Sequence, residues 1–395
     1  MKYLLQSNTP IWTGGATRIC DTIHEAGIIG SLRWWYEVVL RGLDVFACDP
    51  TMDTGTDKRC PIELNEDKKW CNACNLFGMT GLQRKFKINI NRGKQVYEQK
   101  DQKQNINIKP SRCDPPRTTG WFLGAGRIAT DQKGLALLVT PLTSSEYTSN
   151  TLEVLLCLLS KWGGIGARQQ HGYGIFEIFC EKLQNGLSKE EKLNKFINAS
   201  KSPAENQPPK RRTTAISADM PNLKNFFFAK IKLDGLTVNW ENDLDGVPAI
   251  TNERKRFDEW HNHTSRIFAP ALKNQLRFVA FKDDTGKQKK LFGNIKDKSG
   301  AKVNVSHIYD ANGNKEVRVW GDIQDASLRN EFYIALNNTT YWQNATGCPQ
   351  VIAQVTDWRE KNGTMSSRCR KAGSICTAPC TDVESFLKCL LLGDL

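Results

Sequence analysis

Several familiar catalytic signatures are missing from this sequence of 395 residues. It contains no H-E-x-x-H zinc-protease motif, no G-x-S-x-G nucleophile motif and no glycine-rich loop ending in G-K-[ST]. Histidine is scarce, with five copies in the whole chain. These gaps argue against a metalloprotease, a serine hydrolase and a P-loop nucleotide hydrolase, and they leave few groups for acid–base catalysis.

Long apolar runs are also missing. The run from Leu152 to Leu159 is far below the roughly 20 residues that a membrane-spanning helix needs. The N-terminal stretch MKYLLQSNTPIW has one lysine and no A-x-A-like cleavage site, and it reads as a first strand. We therefore expect a cytoplasmic protein without a membrane partner. The 13 cysteines are an odd number and follow no secretory signal, which indicates free or metal-bound thiols.

Acidic residues are outnumbered, since 55 Lys and Arg stand against 42 Asp and Glu, a formal net charge of +13. The excess is concentrated between Arg84 and Lys133, where 12 cations accompany four acidic residues. Such clustering favours a polyanionic partner, and a basic protein without one is the alternative. Residues 91–117 are polar, basic and poor in apolar side chains, so we expect a basic insertion there.

The order of apolar patterns predicts an α+β fold. Up to residue 182 the patterns run strand, helix, strand, strand, helix, glycine-rich loop and strand, which is the βαββαβ order of a ferredoxin-like (RRM-type) unit. We expect Ser31 to cap the first helix and Gly42 to end it. Residues 183–218 have the composition of a linker around one short amphipathic pattern. The expected domains are therefore 1–182 and 219–395.

The two halves share a pattern. Each places an apolar helix before a Leu-Phe-Gly turn and an alternating basic strand. In the first half the segments are GSLRWWYEVVLRG and LFGMTGLQRKFKINI, and in the second they are APALKNQLRFVAF and LFGNIKDKSGAKVNVSHI. Chance recurrence explains the tripeptide but not its context, so we infer an internal duplication.

The segment GGIGARQQHGYG, residues 163–174, contains five glycines. It follows a predicted helix and precedes a predicted strand, the reverse of the nucleotide-binding context. Glycines let backbone N–H groups approach an anion, and the intervening donors and ring suit an RNA backbone with splayed bases. A plain glycine-rich connection is the alternative. The predicted RNA-binding residues are Gly163, Gly164, Gly166, Arg168, Gln169, Gln170, His171, Gly172, Tyr173 and Gly174.

A second candidate site is built from cysteines. Cys71 and Cys74 form a C-x-x-C motif, with Cys48 and Cys60 upstream. Four thiolates can close a tetrahedral structural zinc site and hold together an insertion that has little core of its own. The upstream spacings are looser than in familiar zinc fingers, so free thiols are the alternative. We expect one structural zinc ion on these four cysteines.

Four motifs, TPIWTGG, GSLRWWYEVVLRG, CNACNLFGMTGLQRKF and GGIGARQQHGYG, occur in this order. Together they resemble the RAMP superfamily of CRISPR-associated proteins, and most of all the first-numbered RAMP subunit of type III-B Cmr effector complexes. The resemblance implies tandem ferredoxin-like domains with insertions. It also implies a non-catalytic subunit that binds guide RNA, caps the end holding the guide 3′ region and contributes to target RNA binding in antiviral defence.

The implied partners are the CRISPR guide RNA, the target RNA and other Cmr-complex RAMP subunits. A basic hairpin that wedges between guide bases would lie in residues 91–121. The second half has no comparable glycine-rich loop, so the resemblance does not extend RNA contact to it. Carried over by position, further RNA-binding residues are Gly14, Gly15, Arg18, Arg33, Arg84 and Lys85.

An enzymatic alternative remains at this point. His24 and Asp21 lie in the polar loop before the first helix, where a histidine can act as general acid or base on RNA. The alternative function is thus a RAMP-type endoribonuclease that processes precursor guide RNA with His24. A solvated loop histidine is the structural alternative.

Overall fold

The computed structural model describes most of the chain. Gly15, Arg18, Asp21 and most of the predicted basic insertion lie outside the described residues. The described residues are 1–14, 20, 22–52, 59–61, 70–91, 95–98, 127–130, 134–142, 146–180, 187–202, 220–236, 269–294, 299–346, 348–361, 370–371, 374–375 and 380–392.

The first half forms a four-stranded antiparallel sheet with the order β2-β5-β1-β6, and a separate two-stranded sheet of β3 and β4. Alternate side chains of β1 are buried, because one face of the sheet packs on the core. The strands are β1 (Lys2–Ser7), β2 (Phe86–Asn91), β3 (Gln95–Glu98), β4 (Arg127–Thr130), β5 (Leu135–Pro141) and β6 (Phe176–Cys180).

The described part of the first half contains the helices α1 (Glu25–Gly42), α2 (Asn72–Phe77), α3 (Glu146–Trp162) and α4 (Lys189–Lys201). α1 begins six residues before Ser31, so the predicted cap is wrong, whereas the predicted end at Gly42 is confirmed. The Ser31 hydroxyl instead donates to the Gly27 carbonyl at 3.0 Å inside the helix. α4 is the amphipathic pattern of the predicted linker, and its buried side chains join the first core.

The second half forms a larger antiparallel sheet with the order β13-β12-β11-β7-β10-β8, and β9 pairs with β10. Its central path β8-β10-β7-β11 has the same topology as the first sheet, with the first strand lying between the third and the fourth. The strands are β7 (Phe226–Asp234), β8 (Val303–Val305), β9 (Tyr309–Ala311), β10 (Asn314–Asp322), β11 (Ile352–Glu360), β12 (Arg370–Lys371) and β13 (Ser374–Ile375).

The second half also carries five described helices. α5 continues directly into a π-helical turn over Leu276–Ala280. The helices are α5 (Ala269–Gln275), α6 (Thr285–Phe292), α7 (Ala326–Leu336), α8 (Thr339–Thr346) and α9 (Val383–Leu392).

The inferred duplication has a counterpart in backbone geometry. Gly78 and Gly293, the glycines of the two Leu-Phe-Gly turns, both end a helix, with φ, ψ of 78°, 170° and 74°, 173°. Each glycine carbonyl accepts a hydrogen bond from the arginine of a Leu-Arg pair, Arg33 at 2.6 Å and Arg277 at 3.2 Å. Each turn leads into the edge strand of its sheet, β2 or β8. The two segments therefore occupy the same place in two similar units.

One strand serves both halves of the molecule. β7 begins with three phenylalanines, and successive side chains of a strand point to opposite faces. Phe226 and Phe228 pack into the core of the first half, where Phe228 lies 5.9 Å from Trp35 between ring centroids. Phe227 and the alternate residues after it form the core of the second half. The continuous apolar run thus marks a strand buried on both faces.

Two further contacts join the halves. The Arg318 guanidinium, on β10, donates to carbonyls at the C-terminal end of α3, those of Ser160 at 2.9 Å and Gly163 at 3.1 Å. The C-terminal helix α9 belongs to the first core, and its Leu390 carbonyl accepts from the Trp162 indole at 2.7 Å. The core of the first half is therefore completed by residues from beyond the predicted linker.

Candidate RNA-binding loop and cysteine cluster

The glycine-rich loop, residues 163–174, lies between the segment after β1 and the second half of the chain. Gly174 has φ 89°, and a Cβ there would lie 2.1 Å from the Ile165 carbonyl oxygen. Gly172 has φ 102°, and a Cβ there would lie 2.8 Å from Nδ1 of His307. The positive φ values and the close approaches both require glycine, so these glycines are needed for packing.

Backbone N–H groups of the loop are largely engaged within the protein. The amide of Ala167 donates to Trp12 at 2.8 Å, that of Gly174 to Pro10 at 2.9 Å, and that of Ile165 to Gly174 at 2.9 Å. The Gly166 amide donates to the Ser31 hydroxyl at 2.9 Å. These amides hold the loop in one conformation, and the groups it can offer to a ligand are mainly side chains at its tip.

The tip of the loop runs from Ala167 to His171, where Ala167 and Gln170 are exposed and the other three residues are half-buried. Arg168 has a left-handed backbone with φ 59°, and its guanidinium lies 4.5 Å from the centre of the Trp12 ring. This cation–π contact orients the charge at the surface. Gln170 is exposed, whereas the Gln169 amide turns inward to the Gly164 and Gly166 carbonyls at 3.2 and 3.0 Å.

Cationic groups also lie beneath the tip. Lys273 of α5 is 2% exposed, and its Nζ donates to the Gln170 carbonyl at 2.9 Å. Burial and the neighbouring Arg277 together lower the pKa of Lys273 to about 7. Burial, Lys273 and Arg168 together lower the pKa of His171 to about 4. Basic side chains are therefore concentrated at the junction of the loop and the second half, and their burial disfavours protonation of His171 and Lys273 there.

Tyr173 lies inside this junction. Its ring is 1% exposed and meets the His307 ring edge-on, with 5.2 Å between centroids. The amide of His307 donates to the Gly172 carbonyl at 3.1 Å, which fixes the loop to the second half. A base cannot stack on a buried ring, so Tyr173 is a packing residue and not part of the exposed interface.

The other residues carried over by position are dispersed. Gly14 is exposed beside the Trp12 ring. Arg84 and Lys85 lie just before β2, away from the loop in the chain and on a different element. Arg33 is turned towards the cysteines. His24 is the N-cap residue of α1, and its backbone amide donates to the Thr13 hydroxyl at 2.8 Å.

The four predicted cysteines come together. Their sulfur atoms all lie within 4.8 Å of one another, and all four residues are buried. The sulfurs of Cys48 and Cys74 lie 3.4 Å apart. Hydrogen bonds from the thiols of Cys48, Cys60 and Cys74 hold the pKa of Cys71 well below its ordinary value. The cluster thus favours the thiolate at Cys71, the form that binds metals, whereas hydrogen bonds within the cluster and burial raise the pKa of Cys48 and Cys60.

The surroundings of the cluster suit anionic sulfur. Backbone amides donate to two of the sulfurs, from Cys71 to Cys60 at 3.2 Å and from Cys74 to Cys71 at 3.5 Å. The Arg33 guanidinium donates to the Cys74 sulfur at 3.2 Å and to Glu37 at 2.9 Å. Tetrahedral Zn–S bonds of about 2.3 Å put sulfurs about 3.8 Å apart, so small movements would fit the cluster to one ion.

Two residues of the loop site escaped sequence reasoning. Trp12 lies within the TPIWTGG motif, and that position was the one available signal. Lys273 lies in APALKNQLRFVAF, where a single lysine on an apolar helix carries no signal of its own. Neither contact with the loop follows from local periodicity, because Lys273 is 103 positions from Gln170.

Comparison with known proteins gives a family-model match over the first half of the chain and distant structural likenesses. Residues 4–177 match the family model described as the RAMP superfamily. The chain is similar to Cmr1 from Pyrococcus furiosus, with 14% identity and a TM-score of 0.33 over 82% of this chain and 88% of that chain. It is also similar to a chain from type III-B Cmr-beta bound to cognate target RNA, with 12% identity and a TM-score of 0.35 over 88% and 99%.

No curated protein matches the sequence. Within the described part of the chain, no helix combines the length and apolar character needed to cross a membrane.

Proposed function

We propose that this protein, whose residues 4–177 match the RAMP superfamily model, is a non-catalytic RNA-binding subunit of a type III-B CRISPR effector (Cmr) complex. In that role it binds the guide RNA, caps the end that holds the guide 3′ region and contributes to target RNA binding in antiviral defence in the cytoplasm. Its other partners are neighbouring RAMP subunits. The ordered sequence motifs and the net charge of +13 support this assignment.

One observation carries the proposal, namely the basic groups at and beneath the loop tip. Arg168 is held at the surface on Trp12, and Lys273 lies directly under the tip through its bond to Gln170. Concentrating like charges in a partly desolvated place costs free energy, and a polyanionic ligand offsets that cost. A phosphate of the RNA backbone at Arg168 supplies the required charge.

The mechanism is positional. Arg168 and Gln170 contact phosphate and sugar, which fixes the register of the strand without reading its sequence. The packed glycines and engaged amides keep the tip in place before RNA arrives, so little ordering cost is left to binding. Such a role needs no reacting group, and His24 occupies the N-cap position of α1.

Replacement of Arg168 by alanine tests the proposal. We expect the Kd for single-stranded guide RNA to rise about tenfold, and the slope of log affinity against log salt to fall by about 0.7, the value for one phosphate on a single strand. The matched control is Lys195→Ala on α4, which removes an exposed cation far along the chain. Equal affinities for the two variants in a filter-binding titration would contradict the proposal.

We infer further that the two halves are tandem ferredoxin-like domains. Both sheets place the first strand between the third and fourth, which is the arrangement that a βαββαβ unit produces. The matching Leu-Phe-Gly turns at equivalent places support a common origin. The boundaries at 182 and 219 remain a proposal, and the shared core implies that the halves fold together.

The metal part of the proposal is one structural zinc ion held by Cys48, Cys60, Cys71 and Cys74. A thiolate tetrad is a donor set that zinc prefers for structural sites. Bound there, the ion would cross-link α2 to the segment before it, whose described core residues include Cys48, Cys60 and Cys71.

A further inference from the structure

A groove of about 460 Å³ opens beside the Leu-Phe-Gly turn of the first half. It lies at the end of α2, the start of β2 and the residue that follows β5, so it is formed by elements other than the glycine-rich loop. Grooves of 300 Å³ and above are large enough for small organic groups. The lining residues are Phe77, Gly78, Met79, Leu82, Gln83, Arg84, Lys87 and Leu142.

The walls of the groove are fixed by hydrogen bonds. Met79 and Leu82 exchange two backbone bonds of 3.0 and 2.9 Å, which close a tight hairpin around Gly81. The Gly78 carbonyl accepts from Arg33 at 2.6 Å, and Arg33 also donates to Cys74 of the cysteine cluster. The groove is therefore formed before any ligand binds, and its rear wall is tied to the cluster.

The groove is lined by a basic part and an apolar part. Arg84 and Lys87 supply two cations, and no carboxylate lines the groove among the described residues. Met79, Leu82 and Leu142 supply an apolar surface, and Leu142 is 41% exposed although it is a large hydrophobic residue. An apolar surface beside two cations matches a flat base attached to a phosphate, and the Gln83 amide can bond to a base edge.

We propose that this groove binds one unstacked nucleotide of a single-stranded RNA, with the base against Met79, Leu82 and Leu142 and its phosphate at Arg84 and Lys87. The inference rests on the proposed function for the presence of RNA, and it adds a second, separate contact. It also distinguishes between Arg84 and Lys85, the two RNA-binding residues that the resemblance placed after the Leu-Phe-Gly turn. Arg84 faces the groove, whereas Lys85 is used through its backbone, which pairs with Leu76 and Leu142 at 3.0 and 2.8 Å.

Photochemical cross-linking of the full-length protein to a single-stranded RNA containing 5-iodouridine locates the contact. We expect a cross-linked peptide from the segment 79–87, identified by mass spectrometry. Unlabelled RNA should displace this cross-link, and uridine monophosphate at equal concentration should not. Displacement by the mononucleotide at equal concentration, or cross-links confined to other segments, overturns the inference.

Binding of the same RNA to charge variants gives the quantitative test. The double variant Arg84→Gln with Lys87→Gln should raise the Kd about tenfold. The matched control, Lys189→Gln with Lys195→Gln on the exposed face of α4, removes the same charge and should change the Kd by less than about threefold, because it tests non-specific attraction alone. Equal effects of the two double variants overturn the inference.

The loop variant separates this inference from the proposed function. Weaker binding by Arg168→Ala together with unchanged binding by the groove variant overturns the groove alone. Weaker binding by the groove variant with unchanged binding by Arg168→Ala supports the groove and contradicts the loop proposal. Failure of the wild-type protein to bind single-stranded RNA overturns both.

Discussion

Replacement of Arg318 by methionine should lower the free energy of unfolding of the whole chain by about 3–5 kcal/mol. Hydrogen bonds from a charged donor contribute about 1.5–3 kcal/mol each, and their buried acceptors would stay unsatisfied in the variant. Arg318 is 3% exposed. Its Nη1 donates to Ser160 at 2.9 Å and to Gly163 at 3.1 Å, with a longer bond of 3.4 Å to Leu159. Methionine keeps the apolar length of the side chain and removes the donors.

The reason for so large an effect is the end of α3. The last carbonyls of a helix have no partner within it, and a cation there also interacts favourably with the helix dipole. In this molecule the cation comes from a different sheet, 155 positions later in the chain. The loss should therefore weaken the attachment between the halves as well as the helix.

Urea denaturation followed by tryptophan fluorescence is a suitable assay, since Trp35 and Trp162 lie at the junction. The control is Lys315→Met on the same strand, which removes an exposed ion pair with Asp310 and should cost less than about 1 kcal/mol. A change for Arg318→Met within about 1 kcal/mol of the control would refute the reasoning, since buried hydrogen bonds of the strength assumed above would then be absent.

Three further predictions follow from single side chains. Gly174→Ala should destabilise the protein by about 2–4 kcal/mol in thermal unfolding, because alanine there has an unfavourable positive φ and clashes with Ile165. The control Gly30→Ala in α1 has open space around it and should stabilise the protein by up to about 1 kcal/mol. Stability changes of the same sign in the two variants would contradict this prediction. The pKa of Lys273 is lowered from 10.5 to about 7, so between these values the unfolded chain binds more protons. The free energy of unfolding should therefore rise with pH across this window, by at most about 1.4 kcal/mol per pH unit. Lys273→Met should remove this dependence of the urea unfolding midpoint on pH. An unchanged pH dependence in the variant would count against the prediction. Elemental analysis of the wild-type protein should find about one zinc ion per chain, and Cys71→Ser should abolish it. The control Cys157→Ser on α3, outside the cluster, should retain the zinc. Equal zinc content in both variants would exclude the site.

Periodicity and turn residues predicted the elements well where each signal is local. The strand pattern, the end of α1 at Gly42 and the four cysteines required no knowledge of distant partners. The start of α1 was misplaced because Ser31 is a good N-cap type, yet the apolar face already begins at Ile28 and Ile29, both buried. Burial of that face outweighs the local preference of one serine.

The roles of individual site residues were harder to predict. Arg33 sits in a basic, aromatic motif that resembles a nucleic-acid surface, and its partner Cys74 is 41 positions away. The glycines of the loop indicated conformational freedom, but the contacts that require them come from Ile165, His307 and the segment after β1. Sequence spacing reports which face a residue takes on its own element, and it does not report which distant element covers that face.

The doubly buried strand β7 has a consequence for how the chain is made. A ribosome adds roughly 5–20 residues per second, so Phe228 is synthesised several seconds after Trp35 and Trp162, the rings that it covers. During that interval the aromatic surface of the early helices is not covered by β7. A nascent chain stopped at the predicted linker would expose that surface to aggregation or to chaperones, and maturation of the early half therefore depends on completing the later one.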